Sequence, residues 1–126
     1  MKTDFPTITI LGGGLLGGSL ALALAALEHP PVVRLWVRSD DTVAAAEKLG
    51  IGRVTRDLAS AVQGTSLLIL AVPVGAMAAL VSAALEAGLP DDCLITDVGS
   101  VKRVPHSRIG PLLKGLPIRF IGSHPM

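Results

Sequence analysis

Three groups of residues in this 126-residue chain could do chemistry. The first is Gly12-Gly13-Gly14-Leu15-Leu16-Gly17, which fits G-x-G-x-x-G. In that spacing Gly12 turns the chain sharply, Gly14 leaves bare backbone for a pyrophosphate to approach, and Gly17 lets the next helix lie close to the sheet. The N–H groups that open that helix, at Leu15 and Leu16, offer phosphates free donors and a partial positive charge. No Gly-Lys-Ser/Thr follows, which disfavours a P-loop. The second group is Arg38-Ser39, a guanidinium beside a hydroxyl. The third is His124, held between Ser123 and Pro125. A histidine there can take a proton from a reacting hydroxyl near neutral pH.

The elements that must position these groups read from residue type. Thr7 to Leu11 is a β-branched run, a buried strand by composition. Leu15 to Leu27 is rich in Ala and Leu and predicts a helix that His29-Pro30-Pro31 ends. Val32 to Val37 predicts a second strand, Asp40 to Leu49 a second helix closed by Gly50, and Ile51 to Val54 a short third strand. A weak helix is expected around Asp57 to Val62 and a strand from Ser66 to Val72, stopped by Pro73. Helix over Gly75 to Ala87, strand over Cys93 to Asp97, helix over Val101 to Leu113 and strand over Ile118 to Ile121 complete the reading. Strands alternating with helices mean parallel βαβ units, so the expected fold is α/β, a doubly wound, mostly parallel Rossmann-type sheet over residues 1–126.

In such a sheet ligands gather outside the carboxyl ends of the strands. The glycine turn, Arg38-Ser39, Ala71-Val72-Pro73-Val74, Asp97 to Lys102 and Gly122 to Met126 all fall at predicted strand ends. Val72 and Pro73 are therefore expected to line the crevice. An acid about 20 positions past the glycines would bind the adenosine ribose hydroxyls of NAD. Counting from Gly17 reaches Val37, with Arg38 and Ser39 next, residues suited to a 2′-phosphate. NADP is the expected cofactor and NAD the alternative. Arg38 also reads as a solvated strand-end residue, and Ser39 or Asp40 as the cap of the next helix.

Composition excludes other classes. A hydrophobic fraction of 50% with 17% charged residues excludes disorder, and 2% aromatics demands an aliphatic core. A net charge of +1 makes no case for nucleic acid or anionic membrane. Ile10 to Leu27 lacks charge and raises the question of a membrane span, but glycines and Ser19 interrupt it and Asp4 replaces a basic flank. The lone Cys93 is expected to pack as a small hydrophobe in a reducing cytoplasm. His29 and His106 read as surface residues, and no metal site is assigned.

The glycine loop continued as Gly18-Ser19-Leu20, then Ala71-Val72-Pro73, Asp97 to Lys102 and Phe120 to Met126, resemble the prephenate/arogenate dehydrogenase family of tyrosine biosynthesis. The pieces occur in family order across nearly the whole chain. The resemblance implies an oxidative decarboxylation in which His124 draws the proton from the substrate hydroxyl and Ser100 helps orient that centre. It implies a small-molecule substrate, prephenate or arogenate, and a homodimer formed through a helical C-terminal domain absent from this chain. Asp97 and Lys102 are read as structural. The rivals are another NADP-dependent reductase on the same fold and a non-catalytic dinucleotide-sensing module.

Overall fold

The computed structural model describes residues 5–12, 15–48, 53–98 and 119–122, with backbone alone at 15, 16, 74 and 119–122. In chain order the elements are β1 (Thr7–Leu11), α1 (Leu15–Ala25), β2 (Val32–Trp36), α2 (Asp40–Lys48), β3 (Val54–Thr55), α3 (Leu58–Val62), β4 (Leu67–Leu70), α4 (Val74–Glu86), β5 (Leu94–Asp97) and β6 (Arg119–Gly122). The strands form one sheet in the order β3-β2-β1-β4-β5-β6. Every pairing is parallel. The order reverses between β1 and β4, the switch point at which a doubly wound sheet opens a crevice.

The side-chain alternation of the strands distributes the core between the two faces. Ile8, Ile10, Leu35 and Val37 cluster with Ala21 of α1 and Ala46 of α2. Leu11, Leu68, Leu70 and Ile95 cluster with Val62 of α3 and with Met77, Leu80, Val81 and Ala84 of α4. Both faces are covered, which is why β4 reads as a continuous apolar run. Thr9 of β1 is polar and fully buried. Its Oγ1 donates to the Ala61 carbonyl at 2.6 Å and lies 2.6 Å from Thr65 Oγ1, fastening α3 beneath the sheet.

Several boundaries differ from the sequence reading. Of the third strand expected over Ile51 to Val54, residues 51 and 52 lie outside the described residues; the described pairing is at Val54 and Thr55. This edge strand takes its register from β2, through Leu35↔Val54 and Trp36↔Thr55, rather than from its own composition. β4 is shorter than Ser66 to Val72, although Ala71 N still donates to Leu11 O at 2.9 Å. α1 ends at Ala25, where the following N–H of Ala26 is shared between Leu22 O and Ala23 O. The helix expected over Val101 to Leu113 lies outside the described residues. The uncharged run from Ile10 is divided between the end of β1, the glycine turn and the 11-residue α1. No helix among the described residues is long and apolar enough to cross a membrane.

Cys93 is buried, as its composition suggested, at 1% exposure. Burial pushes its thiol from 9.0 up to about 12; Asp92 adds to the rise and a backbone hydrogen bond at Leu68 opposes it. The folded protein thus disfavours the thiolate that the unfolded chain forms near pH 9. This contribution to stability is complete below pH 9 and is lost as pH rises toward 12. Native protein at pH 8 is expected to resist an aromatic disulfide reagent and to react fully in guanidinium; rapid labelling of the native form would contradict the burial.

Candidate functional site

The candidate site is built where β1, β2 and β4 end side by side. Their exits frame a cleft of about 260 Å³: Gly12 from β1, Val37 and Arg38 from β2, Ala71, Val72 and Pro73 from β4, with Thr42 of α2. Each wall follows from local chemistry. Pro73 is the residue from which α4 starts, directly before its first turn. Val37 extends the β2 ladder by donating to Thr55 O at 3.0 Å and is 1% exposed, leaving the exposed Arg38 at the rim.

Gly12 adopts φ +113°, in the left-handed region that side chains avoid. Its N–H donates to Trp36 O at 2.8 Å, tying the turn to the end of β2. A Cβ here would overlap the Ala71 carbonyl oxygen and stand 2.8 Å from Val72 Cγ1. Gly17 is buried in α1, and a Cβ there would overlap the Gly12 carbonyl oxygen and sit 3.0 Å from the Gly12 carbonyl carbon. The turn closes back on its own helix so tightly that only hydrogen fits. These two absent side chains make a backbone cradle, with the start of α1 at Leu15 directly beyond it, and this fits a phosphate group. Gly14 lies outside the described residues.

The end of β2 carries the polar part of the cleft. Ser39 Oγ accepts from Thr42 N at 3.3 Å and lies 2.9 Å from Thr42 Oγ1, so Ser39 caps α2. Asp40 does not share the cap; its Oδ1 lies 3.3 Å from Nη1 of Arg56. The same guanidinium donates from Nε to the Arg38 carbonyl at 3.1 Å. Trp36 Nε1 in turn donates to the Arg56 carbonyl at 2.9 Å. Sequence reasoning missed Thr42, Trp36 and Arg56. Thr42 carried a signal, lying three residues after a capping serine. Arg56 carried none, because it stands 18 residues from the carbonyl it holds.

On the other side of the switch point, Asp97 ends β5 and is fully buried. It pairs in register with Gly122 of β6. His124 follows two residues after Gly122 and Ser100 three after Asp97, and both lie outside the described residues. His29 is exposed.

The family model for "Prephenate dehydrogenase, nucleotide-binding domain" matches residues 20–126. A cyclohexadienyl dehydrogenase of Zymomonas mobilis is 40% identical over 98% of this chain and 42% of its own length. A prephenate dehydrogenase of Lactococcus lactis is 34% identical over 94% of this chain and 33% of its own. The crystal structure of Synechocystis arogenate dehydrogenase superposes with TM-score 0.80 and 27% identity, covering 94% of this chain and 40% of that one. The chain thus spans about a third to two fifths of the length of these relatives. With the sheet order, the glycine turn and the cleft at the switch point, these likenesses establish that the chain belongs to the prephenate dehydrogenase family and carries its nucleotide-binding domain.

Proposed function

We propose that this chain is the NADP-binding part of an enzyme that oxidatively decarboxylates prephenate or arogenate in tyrosine biosynthesis. The observation that carries the reading is the cleft at the switch point, which pairs a backbone phosphate cradle at Gly12 and Gly17 with Arg38 at its rim, Ser39 being the next residue along the chain. Gly12, Gly14, Leu15, Leu16 and Gly17 hold the pyrophosphate, Arg38 and Ser39 the 2′-phosphate, and Val72 and Pro73 the wall beside it. Val37 stands where an NAD-binding domain of this kind carries an acid. When bound, the dinucleotide accepts the hydride of the oxidation. The chain's own His124 takes the hydroxyl proton as the substrate carbon loses hydride, and Ser100 orients that hydroxyl. Carbon dioxide leaves as the ring becomes aromatic. Substrate-binding cations and dimer contacts are assigned outside the described residues, and the enzyme to the cytoplasm.

The test is calorimetric titration of this chain with NADP⁺ and with NAD⁺ in one buffer. NADP⁺ is expected to bind at least tenfold tighter, about 1.4 kcal/mol. Arg38→Ala is expected to remove most of that difference while leaving NAD⁺ affinity nearly unchanged, because the lost contact is to the 2′-phosphate alone. Equal affinities in the wild type, or undiminished NADP⁺ binding by Arg38→Ala, would defeat the cofactor assignment.

A further inference from the structure

We propose that Arg56 is a specificity-determining positioning residue, which selects for NADP by restraining the Asp40 carboxylate beside the 2′-phosphate subsite. The inference rests on the NADP reading of Arg38 and Ser39 given above.

A carboxylate near the end of β2 is the group that favours NAD: it accepts hydrogen bonds from ribose hydroxyls and repels a 2′-phosphate. Val37 removes that acid from its usual place, but Asp40 restores one three residues later. Its side chain is 87% exposed and sits on the first turn of α2, next to Ser39. Left alone, it would place a negative charge beside the phosphate that Arg38 and Ser39 are to receive.

Arg56 counters this with one guanidinium used twice. Nε donates to the Arg38 carbonyl and Nη1 faces Asp40 Oδ1 at 3.3 Å. The Arg38 backbone and the Asp40 carboxylate are therefore held by the same planar group, which a lysine, with one nitrogen, cannot reproduce in this geometry. Arg56 itself is placed by backbone, since its carbonyl accepts from Trp36 Nε1 and the preceding Thr55 carbonyl accepts from Val37 N. The Arg56–Asp40 pair is exposed on both sides and adds little to stability, so its removal should not unfold the chain. Its effect falls on local charge: with Arg56 present the Asp40 carboxylate faces a cation at 3.3 Å, and without it the carboxylate faces none from this residue.

The experiment measures dissociation constants for NADP⁺ and NAD⁺ with four forms of this chain: wild type, Arg56→Ala, Asp40→Asn and the double variant, with melting curves for each. Arg56→Ala is expected to lower the NADP⁺/NAD⁺ affinity ratio by about tenfold, chiefly through NADP⁺. Asp40→Asn alone is expected to raise the ratio by about threefold, and to recover most of the ratio in the Arg56→Ala background. A purely structural role would weaken both cofactors alike and leave the ratio unmoved. A wild type that prefers NADP⁺, with the ratio intact in Arg56→Ala, overturns the role of Arg56 and leaves the NADP reading standing. A wild type without preference overturns both. Should Arg56→Ala fail to fold, Asp40→Asn decides, and an unchanged ratio there overturns the proposal.

Discussion

Gly17→Ala is expected to lower the melting temperature by roughly 10 °C, corresponding to about 3 kcal/mol, and to abolish dinucleotide binding. The added methyl would occupy the position of the Gly12 carbonyl oxygen, a backbone atom that cannot rotate aside. Gly12 in turn is bonded through its N–H to Trp36 O and lies against Ala71 and Val72, so the turn has nowhere to retreat. Either α1 lifts from the sheet or the glycine turn opens, and both movements dismantle the phosphate cradle. The neighbouring Gly18 is the control. A Cβ there meets nothing within 4 Å, so Gly18→Ala should instead stabilise the helix by about 0.5–1 kcal/mol through reduced backbone entropy of the unfolded chain. Differential scanning calorimetry of the two variants, with NADP⁺ titrations, reads both effects. A Gly17→Ala protein with wild-type melting and affinity would show that the close approach is not required.

His124→Asn in the complete gene product is expected to reduce kcat by about 10²- to 10⁴-fold while leaving NADP⁺ affinity within about twofold. Asparagine keeps a hydrogen-bonding side chain of similar reach but cannot accept the hydroxyl proton, so positioning is largely preserved and proton transfer is lost. His124 follows β6, whose Gly122 is paired with Asp97 at the end of β5, whereas the nucleotide cleft belongs to β1, β2 and β4. On the proposed reading, binding and chemistry depend on different strand ends. Steady-state turnover with prephenate and with arogenate, beside a binding titration, separates the two. Undiminished turnover would remove the histidine from the reaction. A protein that binds dinucleotide and turns over neither substrate even as wild type would favour a sensing module.

The element order of this domain was readable because it is written in local chemistry. The β-branched run at Thr7 to Leu11, the aliphatic run around Leu67 to Leu70 and the Ala/Leu-rich stretches of α1 and α4 each act within a few residues. So does the glycine turn, whose φ and spacing are local properties. Strand ends were less readable. Ser66, Ala71 and Val72 are as apolar or as extended as many paired residues, and only neighbours in the sheet decide where the ladder stops.

Of the candidate cleft, the sequence alone pointed to Gly12, Arg38 and Ala71-Val72-Pro73, which line it, because each belongs to a short run with intrinsic backbone or charge chemistry after an apolar strand. It left open whether Ser39 or Asp40 would cap α2, and the structure assigned the cap to Ser39 because Asp40 is drawn to Arg56. The register of β3 is equally a tertiary decision, as two residues on a sheet edge carry too little pattern to choose their own partners. That register is what brings Arg56 to the Arg38 carbonyl across 18 residues of sequence. Periodicity and turn chemistry act over one helical turn or one strand, whereas the charge balance beside Arg38 depends on which strand lies next to β2 and at what offset. Only the folded sheet determines that.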